Sequence, residues 1–203
     1  MTAEEVAAFA DCIGAGGVAV FPADTVYGVA CDPDSDAALR RLYELKGRPP
    51  GKPAAVMFFA LDRALEALPD IGPRTGAALR RLLPGGVTVL LANRGGRFAA
   101  ACGADPATLG VRVPDLPEAL ASLATVTVPV AQSSANLAGE PPPRRLADVP
   151  REIRTGADLE LEGGELPGTA STVLDLRDYE REGRWHVERA GAVAESALAA
   201  ALD

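Results

Sequence analysis

The sequence has 203 residues, of which 48% are hydrophobic, and its formal net charge is −8. This length and apolar content suit one α/β domain with a sizeable core. The acidic balance disfavours non-specific binding to nucleic acid or anionic membranes, because both carry negative charge. No apolar stretch reaches spanning length, and the N-terminus lacks a basic region followed by an apolar core, so we expect a soluble cytoplasmic protein.

Cysteine and histidine are too few for a disulfide framework or a structural zinc site. Cys12, Cys31 and Cys102 lie far apart and form no C-x-x-C pair, which is typical of reduced, mostly buried thiols. His186 is the single histidine, and it alone would have to carry any Ser-His-Asp chemistry. We therefore expect neither a hydrolase triad nor a tightly bound metal.

Apolar periodicity and turn residues predict alternating helices and strands. Thr2 and Glu5 have the spacing of a capping box, which begins a first helix. Residues 18–21 form an apolar run typical of a buried strand, Pro22 ends it, and residues 26–31 form a second run. Further strands are predicted at residues 54–59, 87–91, 109–113, 126–131, 159–161, 171–176 and 185–188. Further helices are predicted at residues 36–46, 62–68, 74–83, 117–124, 146–154 and 192–202.

This alternation predicts a single three-layer α/β domain with a largely interior, mixed sheet. Pro129 lies within the predicted strand at residues 126–131. Because proline lacks a backbone N–H, it indicates an edge or end position there. Residues 93–107 form a Gly- and Ala-rich loop. This loop is longer than a routine connection, so we expect a mobile loop near a site.

Two cations meet at the end of one predicted helix. Ser35 is a favourable N-cap, and the helix after it places Lys46 on the face that carries its apolar residues. Gly47 ends the helix and the prolines at 49–50 prevent its continuation, so Arg48 lies at the same end on rigid backbone. Such a pair suggests an anion site, although lysine and arginine also favour helix C-termini because they complement the helix dipole.

Polar side chains recur where predicted strands end, which is where ligands bind in open α/β sheets. They are Asp24, Thr25, Tyr27, Ser133, Ser134, Asn136, Ser171, Thr172 and Arg189. The cations expected to converge there are Lys46, Arg48, Arg112 and Arg189. In an acidic protein this patch favours a specific anionic small molecule, because a guanidinium bonds two carboxylate or phosphate oxygens at once. Taken singly, each residue also fits an ordinary turn, surface or core role.

Six short motifs occur in a fixed order along the chain. They are residues 21–28 (FPADTVYG), 45–49 (LKGRP), 84–88 (PGGVT), 111–114 (VRVP), 134–139 (SANLAG) and 168–173 (GTASTV). Together they resemble the motifs of the YrdC-like family, the threonylcarbamoyl-AMP synthases, over about residues 16–193. The K-x-R and S-x-N pair in this order and spacing is the specific part of the resemblance.

The resemblance implies a single YrdC-like domain over residues 1–203, with a twisted mixed sheet, an open concave ligand cleft and no C-terminal extra domain. It also implies an activity in which L-threonine, bicarbonate and ATP give threonylcarbamoyl-AMP and pyrophosphate. The product passes to a tRNA threonylcarbamoyl transferase complex that makes threonylcarbamoyladenosine (t6A) in tRNA. ATP is a substrate, Mg²⁺ is expected with it, and no dedicated protein metal cage is expected.

The resemblance assigns two sets of site residues. The nucleotide set, in which Lys46 and Arg48 are also the catalytic cations, is Lys46, Arg48, Ser134, Asn136 and Arg189. The threonine set is Thr25, Tyr27, Arg112 and Ser171. Lys46 and Arg112 are expected to be exposed or cleft charges whose replacement leaves the fold intact. The departures from the usual family residues concern substrate fine-tuning more than activity, and they are Ala23, Gly86, Ser133 and Ala190.

Two other functions fit the same pattern. One is a relative that forms a carbamoyl-adenylate from carbamoyl phosphate and ATP. The other is a non-catalytic module that binds double-stranded RNA. The acidic charge and the lack of an Arg/Lys-rich stripe count against the second. We therefore expect weak or absent tRNA binding and no direct contact with membranes.

Overall fold

The computed structural model describes residues 1–49 and 51–202. Within them, nine strands form one sheet, in the order β7-β1-β2-β6-β3-β5-β4-β8-β9. The strands are β1 (Ala19–Pro22), β2 (Tyr27–Cys31), β3 (Ala55–Met57), β4 (Val87–Ala92), β5 (Thr108–Arg112), β6 (Val130–Ser134), β7 (Leu159–Glu160), β8 (Thr172–Asp175) and β9 (His186–Arg189). The predicted mixed sheet is confirmed, because three neighbouring pairs are parallel and the other five are antiparallel.

Seven α-helices accompany the sheet in the described part of the chain. They are α1 (Ala3–Gly14), α2 (Asp36–Leu45), α3 (Leu61–Ala67), α4 (Pro73–Leu82), α5 (Arg151–Gly156), α6 (Tyr179–Glu182) and α7 (Glu195–Leu202). Three 3₁₀ segments in the described residues occupy Ala99–Cys102, Glu118–Thr125 and Leu146–Asp148. α6 is not among the predicted helices, because four residues are too few to show a helical period. None of the helices described has both the length and the apolar character needed to cross a membrane.

The ends of α1 and α2 follow from local chemistry. Thr2 Oγ1 accepts a hydrogen bond from the Glu5 N–H at 3.2 Å, and the Glu5 carboxylate accepts from the Thr2 N–H at 2.7 Å. The predicted capping box is therefore confirmed. Ser35 Oγ accepts from the N–H of Ala38 at 3.2 Å, which confirms the N-cap of α2. Gly47 has a φ of 56° directly after this helix, as its predicted stop requires. The predicted stop at Pro50 lies outside the described residues.

The interior strand β6 corrects two predictions. It begins at Val130, so Pro129 precedes the strand instead of interrupting it. Since β6 pairs with β2 on one side and β3 on the other, the edge alternative for Pro129 is wrong and the end alternative is correct. The polar stretch 132–134, predicted to follow this strand, belongs to it. Similarly, Pro22 is the last residue of β1 and not a residue beyond it.

Aromatic packing fixes the strand that leads into the site. Phe9 of α1 lies 5.2 Å from Phe21 of β1 and 5.9 Å from Phe59, measured between ring centroids. All three side chains are buried. Burying each such ring contributes about 1.5–3 kcal/mol. The cluster therefore holds β1 firmly, together with the chain that leaves it at Ala23.

Strand register places several polar residues on one face of the sheet. Ala55 and Met57 of β3 point the same way, because side chains alternate along a strand. Ala55 pairs with Gln132 of β6, and Met57 pairs with Arg112 of β5. Gln132 and Arg112 therefore share this face across three neighbouring strands.

Candidate active site

A cavity of about 480 Å³ lies on that face of the sheet. Its floor is formed by residues of adjacent strands, including Ala55 of β3, Gly110 of β5, Leu90 of β4 and Val173 of β8. Glycine and alanine at two of these positions add little volume above the backbone. The sheet surface is therefore open enough to receive a ligand, which agrees with the polar strand-end clustering expected from the sequence.

Three arginines from three elements reach this cavity: Arg48 after α2, Arg112 in β5 and Arg189 at the end of β9. Arg48 donates to Ser133 Oγ at 3.0 Å and to the carbonyl of Pro53 at 2.9 Å. Arg189 donates to the main-chain carbonyl of Ser171 at 2.8 Å. These acceptors are uncharged, and no carboxylate in residues 1–49 or 51–202 forms an ion pair with Arg48 or Arg189. Their charge therefore remains available to an anion.

The surroundings of Arg48 disfavour its positive charge. Burial lowers the pKa of its guanidinium, and the charge of Arg189 lowers that pKa further, while Tyr43 opposes the shift. An arginine nevertheless stays protonated in a protein. Two like charges held beside one cavity are relieved when an anion enters, which favours ligands with several negative charges.

Arg112 lies in a different environment, since it is only 2% exposed. Its Nη2 donates to Oδ1 of Asp24, forming a buried ion pair, and to Thr25 Oγ1 at 2.6 Å. Burial raises the pKa of the Asp24 carboxyl and lowers that of Arg112, while each partner's charge opposes the shift of the other. Of the two alternatives expected for Arg112, the exposed charge is wrong, because β5 lies inside the sheet. The cleft charge is correct, because Arg112 lines the cavity.

Two hydroxyls line the cavity on strand β4 and just before β8. Thr88 Oγ1 and Ser171 Oγ lie 2.8 Å apart, and both residues are buried. Ser171 is a predicted site residue, but Thr88 is not, although it closes the PGGVT motif. Gln132 also lines the cavity and was assigned no role in the sequence. The alternation of side chains along a strand could have placed Gln132 on the cavity face. That inference requires β6 to begin at Val130, which the sequence pattern did not indicate.

Lys46 does not line the cavity. Its Nζ donates to the main-chain carbonyls of Ser134 and Asn136, the latter at 2.9 Å. The residue is 4% exposed, so the expectation that Lys46 is an exposed or cleft charge is wrong. Burial lowers the pKa of Lys46 to about 8, and the charge of Arg48 adds to the lowering. The structure thus places this lysine behind the SxN segment, with its charge directed at the backbone that carries Ser134.

The S-x-N pair divides between the cavity and its support. Ser134 lines the cavity, whereas Asn136 does not. Asn136 Nδ2 donates to the carbonyls of Leu137 and Glu140, each at 2.8 Å, and its Oδ1 is buried without a partner among the described residues. Asn136 therefore shapes the turn that follows β6.

Tyr27 is a predicted site residue that does not line the cavity. Gly28 pairs with Ser134, so the side chain of Tyr27 points to the opposite face of β2. Its hydroxyl lies 2.9 Å from both Glu162 Oε1 and the Gly164 carbonyl, and it accepts from the Gly163 N–H. Burial raises the pKa of Tyr27 to about 12. The structure brings Tyr27 to residues 162–164 and not to the cavity.

The long loop at residues 93–107 borders the site. Cys102, Ala104 and Asp105 all line the cavity. The Asn93 amide donates to the carbonyls of Arg97 and Pro106, each at 2.9 Å, and so ties the two ends of the loop together. The loop therefore lies beside the cavity, and its expected mobility remains a prediction.

The fold and the cavity together define an α/β domain with a cleft lined by three arginines. A Sua5/YciO/YrdC family model, described as "Telomere recombination", matches residues 11–191. The chain belongs to the Sua5/YciO/YrdC family. This assignment confirms the resemblance carried by the six sequence motifs.

Relatives of the chain differ in length. Threonylcarbamoyl-AMP synthase of Chromohalobacter salexigens is 35% identical over 181 residues, which are 88% of this chain and 96% of that protein. Threonylcarbamoyl-AMP synthase of Bacillus subtilis is 32% identical over 163 residues, which are 79% of this chain and 47% of that protein. The chain thus spans about half the length of the second relative and nearly all of the first.

A solved structure shares the fold. The crystal structure of Pyrococcus abyssi Sua5 complexed with L-threonine superimposes with a TM-score of 0.85 at 25% identity. The match covers 99% of this chain and 58% of that one. The predicted fold class is therefore confirmed.

Proposed function

We propose that the chain is a threonylcarbamoyl-AMP synthase, a nucleotidyltransferase that makes threonylcarbamoyl-AMP and pyrophosphate from L-threonine, bicarbonate and ATP. The observation that carries the proposal is the convergence of Arg48, Arg112 and Arg189 on one cavity in a chain of net charge −8. Two of these arginines have no carboxylate partner among the described residues. The names of the relatives support the same activity.

The chemistry explains the need for so many cations. The threonine amine and bicarbonate combine to a carbamate with loss of water. An oxygen of the carbamate then attacks the α-phosphorus of ATP, and the bond from that phosphorus to the pyrophosphate oxygen breaks. Both reactants are anions, so positioning and charge neutralisation contribute more than proton transfer.

The cavity divides into two sides in this proposal. On the nucleotide side, Arg48 and Arg189 neutralise the phosphates, and the Ser134 hydroxyl donates to them. Lys46 and Asn136 act from behind, by holding the backbone of residues 134–138. The Lys46 carbonyl accepts from the Ala138 N–H at 3.3 Å, which adds a further tie between these segments.

On the threonine side, Arg112 meets the amino-acid carboxylate, and Thr25 and Ser171 contribute hydroxyls. Tyr27 acts at a distance, since its hydroxyl fixes residues 162–164. These side chains are largely buried, whereas the nucleotide side is more open. The small substrate therefore occupies the inner part of the cavity and the large one the outer part.

We propose that Mg²⁺ enters with ATP as part of the substrate, because phosphate oxygens and water suit this ion. Residues 1–203 act as one domain in the cytoplasm. The product passes to a tRNA threonylcarbamoyl transferase complex for t6A synthesis, and direct binding to tRNA is weak.

Incubation with ATP, Mg²⁺, threonine and bicarbonate tests the proposal, with mass detection of the adenylate and measurement of pyrophosphate. We expect product only when threonine and bicarbonate are both present. Equal pyrophosphate release from ATP alone contradicts the proposal. Product formed from carbamoyl phosphate and ATP without threonine indicates the carbamoyl-adenylate activity instead. Steeply salt-dependent RNA binding without turnover of ATP indicates the RNA-binding module.

A further inference from the structure

Asp24 is a buried carboxylate that neither the reaction nor the motif assignment uses. Its side chain is 5% exposed and forms an ion pair with Arg112, whose side chain is 3% exposed. The second oxygen, Oδ2, accepts from the Asp115 N–H at 3.1 Å. Both oxygens of the carboxylate therefore have a partner at or just after the end of β5, and Asp24 links that region to the segment after β1.

The hydrogen bonds of Arg112 are unevenly distributed over its guanidinium. Nη2 donates to both Asp24 Oδ1 and Thr25 Oγ1, which uses both of its hydrogens. Nε is buried and has no partner, and Nη1 forms no hydrogen bond within the described residues. An unpaired buried donor on a cation is costly, so this half of the group is suited to an acceptor that arrives from outside.

We propose that Asp24 is a positioning residue. Its carboxylate holds one terminal nitrogen of Arg112 against Thr25, so that the remaining donors of the guanidinium face the carboxylate of the amino-acid substrate. This inference rests on the proposed function, because the amino acid supplies the acceptor. Asp24 does not touch substrate in this arrangement, and it acts only through the orientation and charge of Arg112.

Two physical effects follow from the arrangement. First, an arginine side chain has several rotatable bonds, and fixing it before the ligand arrives lowers the entropy lost on binding. Second, Asp24 compensates the charge of Arg112 when the cavity is empty, so this buried cation is tolerated without substrate. Neither effect concerns the phosphates, which are proposed to meet Arg48 and Arg189.

Asp24→Asn tests the inference, with Asp175→Asn as the matched control. Asp175 is 4% exposed in its side chain and pairs with Arg177, but it does not line the cavity. We expect threonine to bind Asp24→Asn about 10- to 100-fold more weakly, as when a group that orients a binding residue is removed. We expect ATP binding to be unchanged in both variants and threonine binding to be unchanged in Asp175→Asn. Calorimetry on each folded variant measures both ligands separately.

The outcomes separate the two proposals. Threonine that binds wild type and Asp24→Asn equally well overturns the positioning role and leaves the proposed function intact. Equal losses of threonine and ATP binding also overturn it, since they indicate a structural role for Asp24. Wild-type protein that binds no threonine overturns the proposed function and this inference together.

Wild-type protein gives a second readout that needs no variant. The charged groups near Asp24 are Arg112 and Asp115, and Arg189 acts on Arg112. Burial raises the pKa of the Asp24 carboxyl. Lowering the pH protonates this carboxyl and so removes the charge that holds Arg112 in place. We expect threonine affinity to fall as the pH is lowered. A constant affinity over the whole acid range in which the protein stays folded overturns the inference.

Discussion

The two sides of the cavity differ in how the charge of their arginines is balanced. Arg48 and Arg189 are half-buried and exposed respectively, and within the described residues their side chains hydrogen-bond only to neutral acceptors. Arg112 is buried and carries its own counter-ion, Asp24. An open, uncompensated cation attracts a multiply charged ligand. A buried, compensated one contributes little attraction at a distance but has a fixed orientation. The comparison indicates that the outer side favours ligands by their negative charge and the inner side favours ligands by their shape.

The largest expected effect separates the two sides by stability. Arg112→Gln leaves Asp24 buried without its cation, which should lower the free energy of unfolding by about 3–5 kcal/mol. Arg189→Gln removes an exposed charge and should change it by about 0.5 kcal/mol or less. Urea unfolding followed by circular dichroism measures both variants. Equal stabilities would show that the Asp24–Arg112 pair is not a structural element of the inner side.

The next effect concerns turnover on the outer side. Arg48→Ala removes a preorganised cation that has no carboxylate partner among the described residues, so turnover should fall by about 10²- to 10³-fold with the fold intact. Arg63→Ala is the matched control, since Arg63 is exposed and pairs with Glu66 on α3. Initial rates of pyrophosphate release measure both variants. A rate for Arg48→Ala like that of Arg63→Ala would remove Arg48 from the nucleotide side.

The pH dependence of stability tests the buried state of Lys46, which holds the backbone behind the outer side. The pKa of Lys46 is about 8 in the folded protein against 10.5 for the free side chain. The unfolded chain therefore binds more protons between these pH values, and Lys46 makes the protein more stable as the pH rises through this window. Relative to Lys46→Met, wild type should gain roughly 3 kcal/mol of unfolding free energy across it.

Comparison with the variant is necessary, because other groups titrate in the same range. Burial raises the pKa of Tyr27 and of Cys31 to about 12, and both therefore lower stability as the pH rises. These contributions cancel in the difference between wild type and Lys46→Met. Denaturant titrations at a series of alkaline pH values provide that difference. If it stays constant with pH, the ammonium of Lys46 is not desolvated as described.

The smallest expected effect is that of replacing His186, which belongs to neither side of the cavity. His186 is exposed at the edge strand β9, and its Nε2 lies 3.3 Å from a carboxylate oxygen of Glu188. It does not line the cavity, although Arg189 lies three residues further along. His186→Gln should leave turnover close to wild type. A folded variant with much lower turnover would extend the site along β9 and break the two-sided description.

The sequence predicts elements better than it predicts orientation. Capping residues and apolar runs place α2 and its ends correctly, because Ser35 and Gly47 act through local bonds. The cluster of Arg48, Arg112 and Arg189 also follows from element ends, since Arg48 comes after α2 and Arg112 and Arg189 end strands. The direction of Tyr27 and the burial of Arg112 do not, because they depend on register between distant strands.

The roles of Lys46 and Asp24 show the same limit. Helical spacing places Lys46 correctly on the apolar face of α2, but its partners are carbonyls almost ninety residues later in the chain. Asp24 looks like one more polar residue after a strand until β5 brings Arg112 beside it. Local patterns contain no information about which distant groups complete a buried polar contact.

Calorimetry of ATP and threonine on Arg48→Ala and Arg112→Gln tests the two-sided site most directly. We expect Arg48→Ala to weaken ATP binding and to leave threonine binding nearly unchanged. Arg112→Gln should weaken threonine binding and leave ATP binding, measured without threonine, nearly unchanged. If both variants lose the same ligand, or if neither loses any, the division of the cavity into a nucleotide side and an amino-acid side is wrong.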